Sequence, residues 1–341
     1  MTLREALQRY LPPFEAVLQE ILTPGDSLFK PLYDMQRYHH GWLDHHLQPS
    51  SGDGGKCVRP LLCLLCCEAS GGCFEQALPL AAAVELLHSF SLVHDDIQDR
   101  SATRRHRPTV WALWGEPQAI NVGDSLHAAA HAALNRLRES QTAETVVELA
   151  RAFEDTCLRL CEGQYLDMAF ESEAEVRHER YLRMIERKTG ALISYAAWGG
   201  ARLGGQAHAD LYREMGAALG LAFQIQDDVL GIWGDEAATG KSASSDIASA
   251  KKTLPLIYAL GVLPGPDRRE LAAIYAQTER SGSDVERARL LIDRSGARER
   301  CSEMVDSHHA QALRLLAQAR PETAAGEALS ALIGQLAGRQ Q

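Results

Sequence analysis

An all-α fold is what the sequence predicts, on three observations. Ala, Leu, Glu, Gln and Arg, all good helix formers, dominate the 341 residues throughout. Apolar residues recur at three- and four-residue spacings over Leu78 to Val93, Val146 to Met168, Tyr181 to Leu203 and Leu211 to Ile232, giving each stretch one apolar face as a helix. Strand signals are scarce: few segments alternate with a period of two, and aromatic residues are only 6% of the chain.

The breaks between these stretches are legible in order. Pro49 to Gly55 (PSSGDGG) reads as a loop, and Gly71–Gly72 ends a Cys-rich helix. Pro108 and Gly115–Pro117 bracket a short apolar piece, Val110 to Trp114. Gly234 to Asp246 reads as a long polar loop, and Pro264 to Pro266 as a further break. None has the length or composition of a flexible linker, and no repeat of fixed period occurs. One helical domain over residues 1–341 is therefore the expected organisation, with the 45% of apolar residues supplying its core.

Charge and cysteine usage narrow the class. The formal net charge of −10 argues against general nucleic-acid binding, which needs a basic footprint. Cys63 and Cys66 have CxxC spacing, but the run Leu61 to Cys67 is apolar and no second Cys/His set completes a zinc site. These cysteines are expected to pack as small hydrophobes. Met1 to Tyr10 lacks the apolar region of a signal peptide. The best apolar span, Ala77 to Val93, is broken by Pro79, Glu85 and His88. A reduced, cytoplasmic setting without an integral membrane segment is the expectation.

Two acidic clusters carry the chemistry. Asp95, Asp96 and Asp99 form DDIQD near the end of an apolar helix, and Asp95 and Asp99, one turn apart, share a face. The apolar lead-in Phe90 to Val93 draws that end inward, where anions are costly unless a cation compensates. Oxygen-only ligands at this spacing suit Mg²⁺, which bridges carboxylates to substrate phosphates. A solvated acidic helix end is the plain alternative. Asp227 and Asp228 end a second apolar helix, Leu219 to Gln226, so two acidic helix ends could hold metals between them. Gly231 stands one turn beyond Asp227, so the second cluster is not another DDxxD; Asp235 comes one turn later.

Basic residues accompany both clusters. Lys56 and Arg59 lie in GGKCVRP, where a Gly-rich loop enters a helix start that can receive an anion. Arg104 and Arg105 follow the first cluster, Lys241, Lys251 and Lys252 follow the second, and Lys188–Thr189 lies between them. Singly each reads as surface charge. Together they offer two kinds of anion site, one through metal and one through Arg and Lys directly, which would suit two pyrophosphates.

From Gly54 to about Pro255 the chain resembles the trans-isoprenyl diphosphate (polyprenyl) synthases. GGKCVRP, HSFSLVHDDIQD, RRHRPTVW, EGQYLD, KTG, FQIQDD and GDEAATGKSASSD follow in the family's order. The resemblance implies a single-domain helical bundle of the isoprenoid synthase type around a central cavity, usually a homodimer. It implies three Mg²⁺ ions, two on Asp95 and Asp99 with Asp96 alongside and one on Asp227 supported by Asp228. Arg104, Lys188 and Lys241 match positions that hold the allylic diphosphate; Lys56, Arg59, His88 and Arg105 match those that bind isopentenyl diphosphate. Thr189 and Gln224 correspond to polar groups near the allylic cation, and Lys251 to a basic residue that helps close the site. Gln164 and Asp167 belong to a recurrent motif. Cys57, His106 and Gly231 depart from the usual Arg, Gly and Asp.

The reaction so implied is head-to-tail condensation of isopentenyl diphosphate with an allylic diphosphate, releasing pyrophosphate. Phe90 with the small Ser91 beside it, ahead of DDIQD, resembles geranylgeranyl-type enzymes, making a C20 all-trans product the expectation and C15 farnesyl diphosphate the runner-up. A class I terpene cyclase would share the fold and the metal site but needs no site for isopentenyl diphosphate. A non-catalytic partner subunit should have lost its acidic motifs.

Overall fold

The structure is a computed structural model that describes residues 1–50, 52, 54–55, 57–205, 208–234 and 244–337. Among these the expected all-α architecture holds: helices follow one another along the chain, and the only ladder is a two-residue hairpin, Thr103–Arg104 with Arg107–Pro108. The chain forms two compact units: Met1–Cys157, Tyr195–Arg213 and Ala319–Ala331 make the first; Leu158–Ser194, Glu214–Gln318 and the residues from Leu332 on make the second. The boundaries fall inside helices, with no linker at any of them.

The first unit contains α1 (Leu3–Ile21), α2 (Lys30–His39), α3 (Val58–Ala69), α4 (Leu78–Gln98), α5 (Val110–Trp114) and α6 (Glu116–Asn135), and the start of α7 (Ala143–Ser172). Thr2 and Glu5 close a capping box at the head of α1. Helix α4 is the core of this unit. Leu80 to Leu87 are buried without interruption, and α6, α3 and α1 pack around them. By length and composition α4 with the preceding turn, Phe74–Gln98, could cross a membrane, but 67% of its most apolar window is buried, as in the core helix of a globular unit. The cysteines of α3 behave as expected: Cys63, Cys66 and Cys67 are fully buried, burial pushes each thiol up, that of Cys67 to about 12, and none forms a disulfide.

The second unit is built on α8 (His178–Ile185), α10 (Ala209–Trp233), α11 (Ser245–Ala248), α12 (Leu254–Val262), α13 (Gly265–Tyr275), α14 (Gly282–Arg294) and α15 (Ala297–Ala319); α9 (Ala191–Gly204) begins in it and α16 (Thr323–Ala337) ends in it. One apolar cluster joins Phe170, Tyr181, Ile225 and Val229 with Leu254 and Val305. Another joins Ile232 and Ile247 with Leu256, Leu271 and Leu291.

Two expectations are corrected. The pattern from Tyr181 to Leu203 is not one helix: a π-helical turn, Glu186–Gly190, separates α8 from α9. Periodicity cannot register one extra residue in a turn, since the apolar stripe resumes beyond it. Asp227 and Asp228 do not end their helix either. Buried Val229 and Ile232 carry the apolar face of α10 on to Trp233, leaving both carboxylates inside it.

The hairpin tells what the departure at His106 costs. Arg105 and His106, at φ 51° and 59°, are both left-handed, the pair of conformations a two-residue turn of this hand demands. Glycine adopts that conformation without strain and His does not. His106→Gly should raise unfolding free energy by about 1 kcal/mol in denaturant titration, the relief of left-handed strain outweighing the entropy glycine adds to the unfolded chain.

Candidate active site

Burial of α4 from Leu80 to Leu87, and again at Ser89 and Val93, fixes how DDIQD is presented. Asp95 is half-buried, Asp96 is buried and Asp99, the C-cap of the helix, is exposed. Asp95 and Asp99 thus keep the shared face expected of them. Asp96 turns away and accepts a hydrogen bond from Nε of Arg104 at 2.8 Å. Burial pushes the Asp96 carboxyl up to about 6; the Arg104 charge pulls it down and Asp95 and Asp99 push it further up. The structure therefore joins a carboxylate expected at the metals to an arginine expected at a diphosphate.

The basic residues of the first unit meet in the same region. Tyr38, His39, Asp96, Arg104, Arg105 and Arg107 line one small recess. Arg59 Nη1 donates to His88 Nε2 at 3.1 Å; because guanidinium can only donate, the His88 proton sits on Nδ1. Burial holds His88 well below the ordinary imidazole value, and the charges of Arg59, Arg105 and Arg104 add to that, so the ring is neutral. Arg105 Nη1 reaches the Gly54 carbonyl. Arg59, His88 and Arg105 are thus brought together as expected, while Lys56 lies outside the described residues. His39 escaped the sequence reading; it precedes the first recognisable motif and carries no spacing signal.

The neighbouring His40 supplies a pH handle. It is 5% exposed, and burial, then the Arg105 charge, lowers it from 6.5 to about 4. On acidification the unfolded chain takes up this proton first, so the contribution is intact above pH 6.5 and lost as pH falls toward about 4. That pKa change corresponds to about 3 kcal/mol. In denaturant titrations at a series of pH values, His40→Gln should remove about that much of the decline between pH 6.5 and 4.

In the second unit the π turn sets the site. It carries Lys188 and Thr189, and two glycines let helices close on it. A Cβ on Gly163 of α7 would lie 2.6 Å from Lys188 Cα, and one on Gly220 of α10 would lie 2.5 Å from Gly190 Cα. Lys188 Nζ donates to Asp167 Oδ2 at 2.5 Å, which gives the EGQYLD motif a partner. Thr189 Oγ1 donates to Gln224 Oε1 at 2.7 Å, and Gln224 Nε2 donates to Asp228 Oδ1 at 3.2 Å. The Tyr181 hydroxyl and the Leu254 backbone N–H donate to Asp228 Oδ2 at 2.6 and 3.1 Å. Burial still dominates and pushes Asp228 up to about 7, against these donors and the Lys251 charge. Asp227 is exposed on the same helix. Thr189, Gln224, Asp228 and Lys251 are therefore grouped, whereas Lys241 and Asp235 lie outside the described residues. Tyr181 was missed because a tyrosine on an amphipathic helix reads as core.

Gly231 now has a physical reason. A side chain there would run into the Asp246 carboxylate, so the space left by the missing aspartate of the second motif is taken by another carboxylate, brought from α11.

Comparison with known proteins agrees with these motifs. The sequence profile described as polyprenyl synthetase matches residues 40–292. Geranylgeranyl diphosphate synthase of Mycobacterium tuberculosis is 42% identical over 274 residues, 80% of this chain and 77% of that protein. The (2E,6E)-farnesyl diphosphate synthase of Mycobacterium bovis is 36% identical over 324 residues, 92% of this chain and 89% of that protein. Among solved structures, a polyprenyl synthetase from Streptomyces coelicolor superposes with a TM-score of 0.87 at 35% identity, covering 98% of each chain. The chain belongs to the polyprenyl synthetase family and is a trans-prenyltransferase.

Proposed function

We propose that the chain condenses isopentenyl diphosphate head to tail with allylic diphosphates to a C20 all-trans prenyl diphosphate, in a Mg²⁺-dependent reaction that releases pyrophosphate, working as one domain. The observation that carries this reading is the grouping of Arg59, His88 and Arg105 in the unit that presents DDIQD. A terpene cyclase has no use for that second anion site, and a non-catalytic subunit has no use for an intact DDIQD.

The donor set suits the metal: Asp95 and Asp99 offer oxygen ligands one turn apart, and Asp227 offers another in the second unit. Bound there, Mg²⁺ would draw charge from the departing diphosphate. Lys188, Lys241 and Arg104 would grip the allylic diphosphate as its C–O bond breaks. Arg59, Lys56 and Arg105 would hold isopentenyl diphosphate, and neutral His88 would donate from a ring nitrogen without adding charge. The Gln224 and Thr189 oxygens would face the allylic cation, with negative dipole ends toward developing positive charge. The π electrons of isopentenyl diphosphate form the new C–C bond, and the proton lost from that unit leaves with pyrophosphate. Lys251 would help close the site. A cytoplasmic homodimer belongs to the same reading.

Product length is assigned to Phe90 and Ser91. The Phe90 ring is fixed against His94 and His127, with centroids 4.8 and 4.9 Å away, and Ser91 is tied back to the His88 carbonyl. Purified protein given Mg²⁺, isopentenyl diphosphate and dimethylallyl, geranyl or farnesyl diphosphate should yield C20, and Phe90→Ala longer products, by chromatography of the dephosphorylated alcohols. A C15 product would favour the farnesyl alternative; no product from folded protein would sink the reading.

A further inference from the structure

The first unit holds a second group of metal-ligating side chains with a different chemistry. His127 and His131, one turn apart on α6, turn their rings toward each other with Nε2 atoms 3.4 Å apart. Cys157 of α7 joins them: its Sγ and one nitrogen from each ring all lie within 4.8 Å of one another. We infer that His127, His131 and Cys157 form a binding site for a borderline-soft divalent cation, Zn²⁺ or its chemical equivalent, that ties α6 to α7.

Four observations support it. Nitrogens sharing a tetrahedral zinc at about 2.05 Å stand about 3.3 Å apart, which the two Nε2 atoms already match. Two nitrogens and a thiolate prefer zinc over magnesium, so this donor set is chemically separate from the all-oxygen clusters of the proposed reaction. Third, Glu154 Oε1 lies 3.4 Å from His131 Nδ1, the outer carboxylate that commonly fixes the tautomer of a metal-bound histidine. With its proton on Nδ1, His131 presents a lone pair at Nε2 to the centre of the group. Fourth, Cys157 is only 9% exposed and the buried Phe153 ring stands edge to face with His131, centroids 5.1 Å apart, so one side of the group is apolar and closed to water. Binding needs the thiol drawn inward by about 1 Å, since sulfur and nitrogen on one zinc stand about 3.6 Å apart. The thiol proton is released to solvent, His127 moves its own proton to Nδ1, and a fourth position remains for water.

Cobalt tests the site, because a thiolate on tetrahedral Co²⁺ gives a near-ultraviolet charge-transfer band and strong visible d–d bands. Full-length protein stripped of metal and free of diphosphates should develop both at one equivalent, lose them when Zn²⁺ is added, and melt at higher temperature with Zn²⁺. Cys157→Ser should abolish the charge-transfer band. Glu154→Gln should weaken binding about tenfold. An Asp95→Asn, Asp99→Asn background should leave the spectrum unchanged. Circular dichroism of each variant separates lost binding from lost fold. A cobalt spectrum without the charge-transfer band, or a band that survives in Cys157→Ser, overturns the assignment.

Discussion

Asp95→Asn is expected to lower turnover about 10³-fold at saturating substrates and to leave thermal unfolding nearly unchanged. The size follows from the proposed role: about 4 kcal/mol of transition-state stabilisation would disappear if Asp95 no longer held a metal at the leaving diphosphate. The unchanged stability follows from the surroundings, since Asp95 is half-exposed near the end of α4 and its amide can be solvated. Asp96→Asn should behave otherwise. Its carboxylate is buried on Arg104, so its loss frees an arginine rather than a metal. The expected signature is a rise of about tenfold in KM for the allylic diphosphate, with a smaller fall in turnover than Asp95→Asn. Initial rates of pyrophosphate release over a Mg²⁺ series separate the two. If Asp95→Asn turned over normally, DDIQD would not be the metal site.

That contrast marks how far the sequence could be read. Spacing alone put Asp95 and Asp99 on one face, because a helix repeats whatever its context, and α4 bears this out. What spacing does not encode is which way Asp96 faces once α4 is packed on three sides; that depends on the hairpin carrying Arg104, which comes from beyond the helix. The second cluster shows the same limit. Its aspartates close the apolar run Leu219 to Gln226 and so read as a helix end, but Val229 and Ile232 are buried by partners far along the chain, and so α10 continues. The π turn at Glu186–Gly190 was invisible because an inserted residue shifts a stripe without erasing it. Tyr181 and the Leu254 N–H, two of the three donors to Asp228, are of the same kind: nothing in their residue type announces that the fold aims them at a carboxylate. Gly231 is the converse case. The sequence showed a missing aspartate, and only the approach of α11 shows the Asp246 carboxylate occupying the space.

Gly163→Ala carries the other large expected effect, and it tests whether the π turn is held by packing. The added methyl would stand 2.6 Å from Lys188 Cα and also meet Lys188 Cβ at 2.8 Å, distances that backbone cannot relieve by rotating a side chain. Either α7 moves or the turn does. The cost should be about 3 kcal/mol of stability, at the upper end for one methyl in a packed interior. Turnover should fall about 10²-fold, because Lys188 and Thr189 ride on that turn and a displacement of about 1 Å at a positioning group costs that much. Thr189→Val separates the causes: it removes the hydroxyl that donates to Gln224 while leaving the backbone in place. If the turn acts by positioning, Gly163→Ala should lose more activity than Thr189→Val and should raise KM for the allylic diphosphate through Lys188. Equal losses would mean that the Thr189–Gln224–Asp228 chain alone carries the effect, and that the close approach at Gly163 serves stability only.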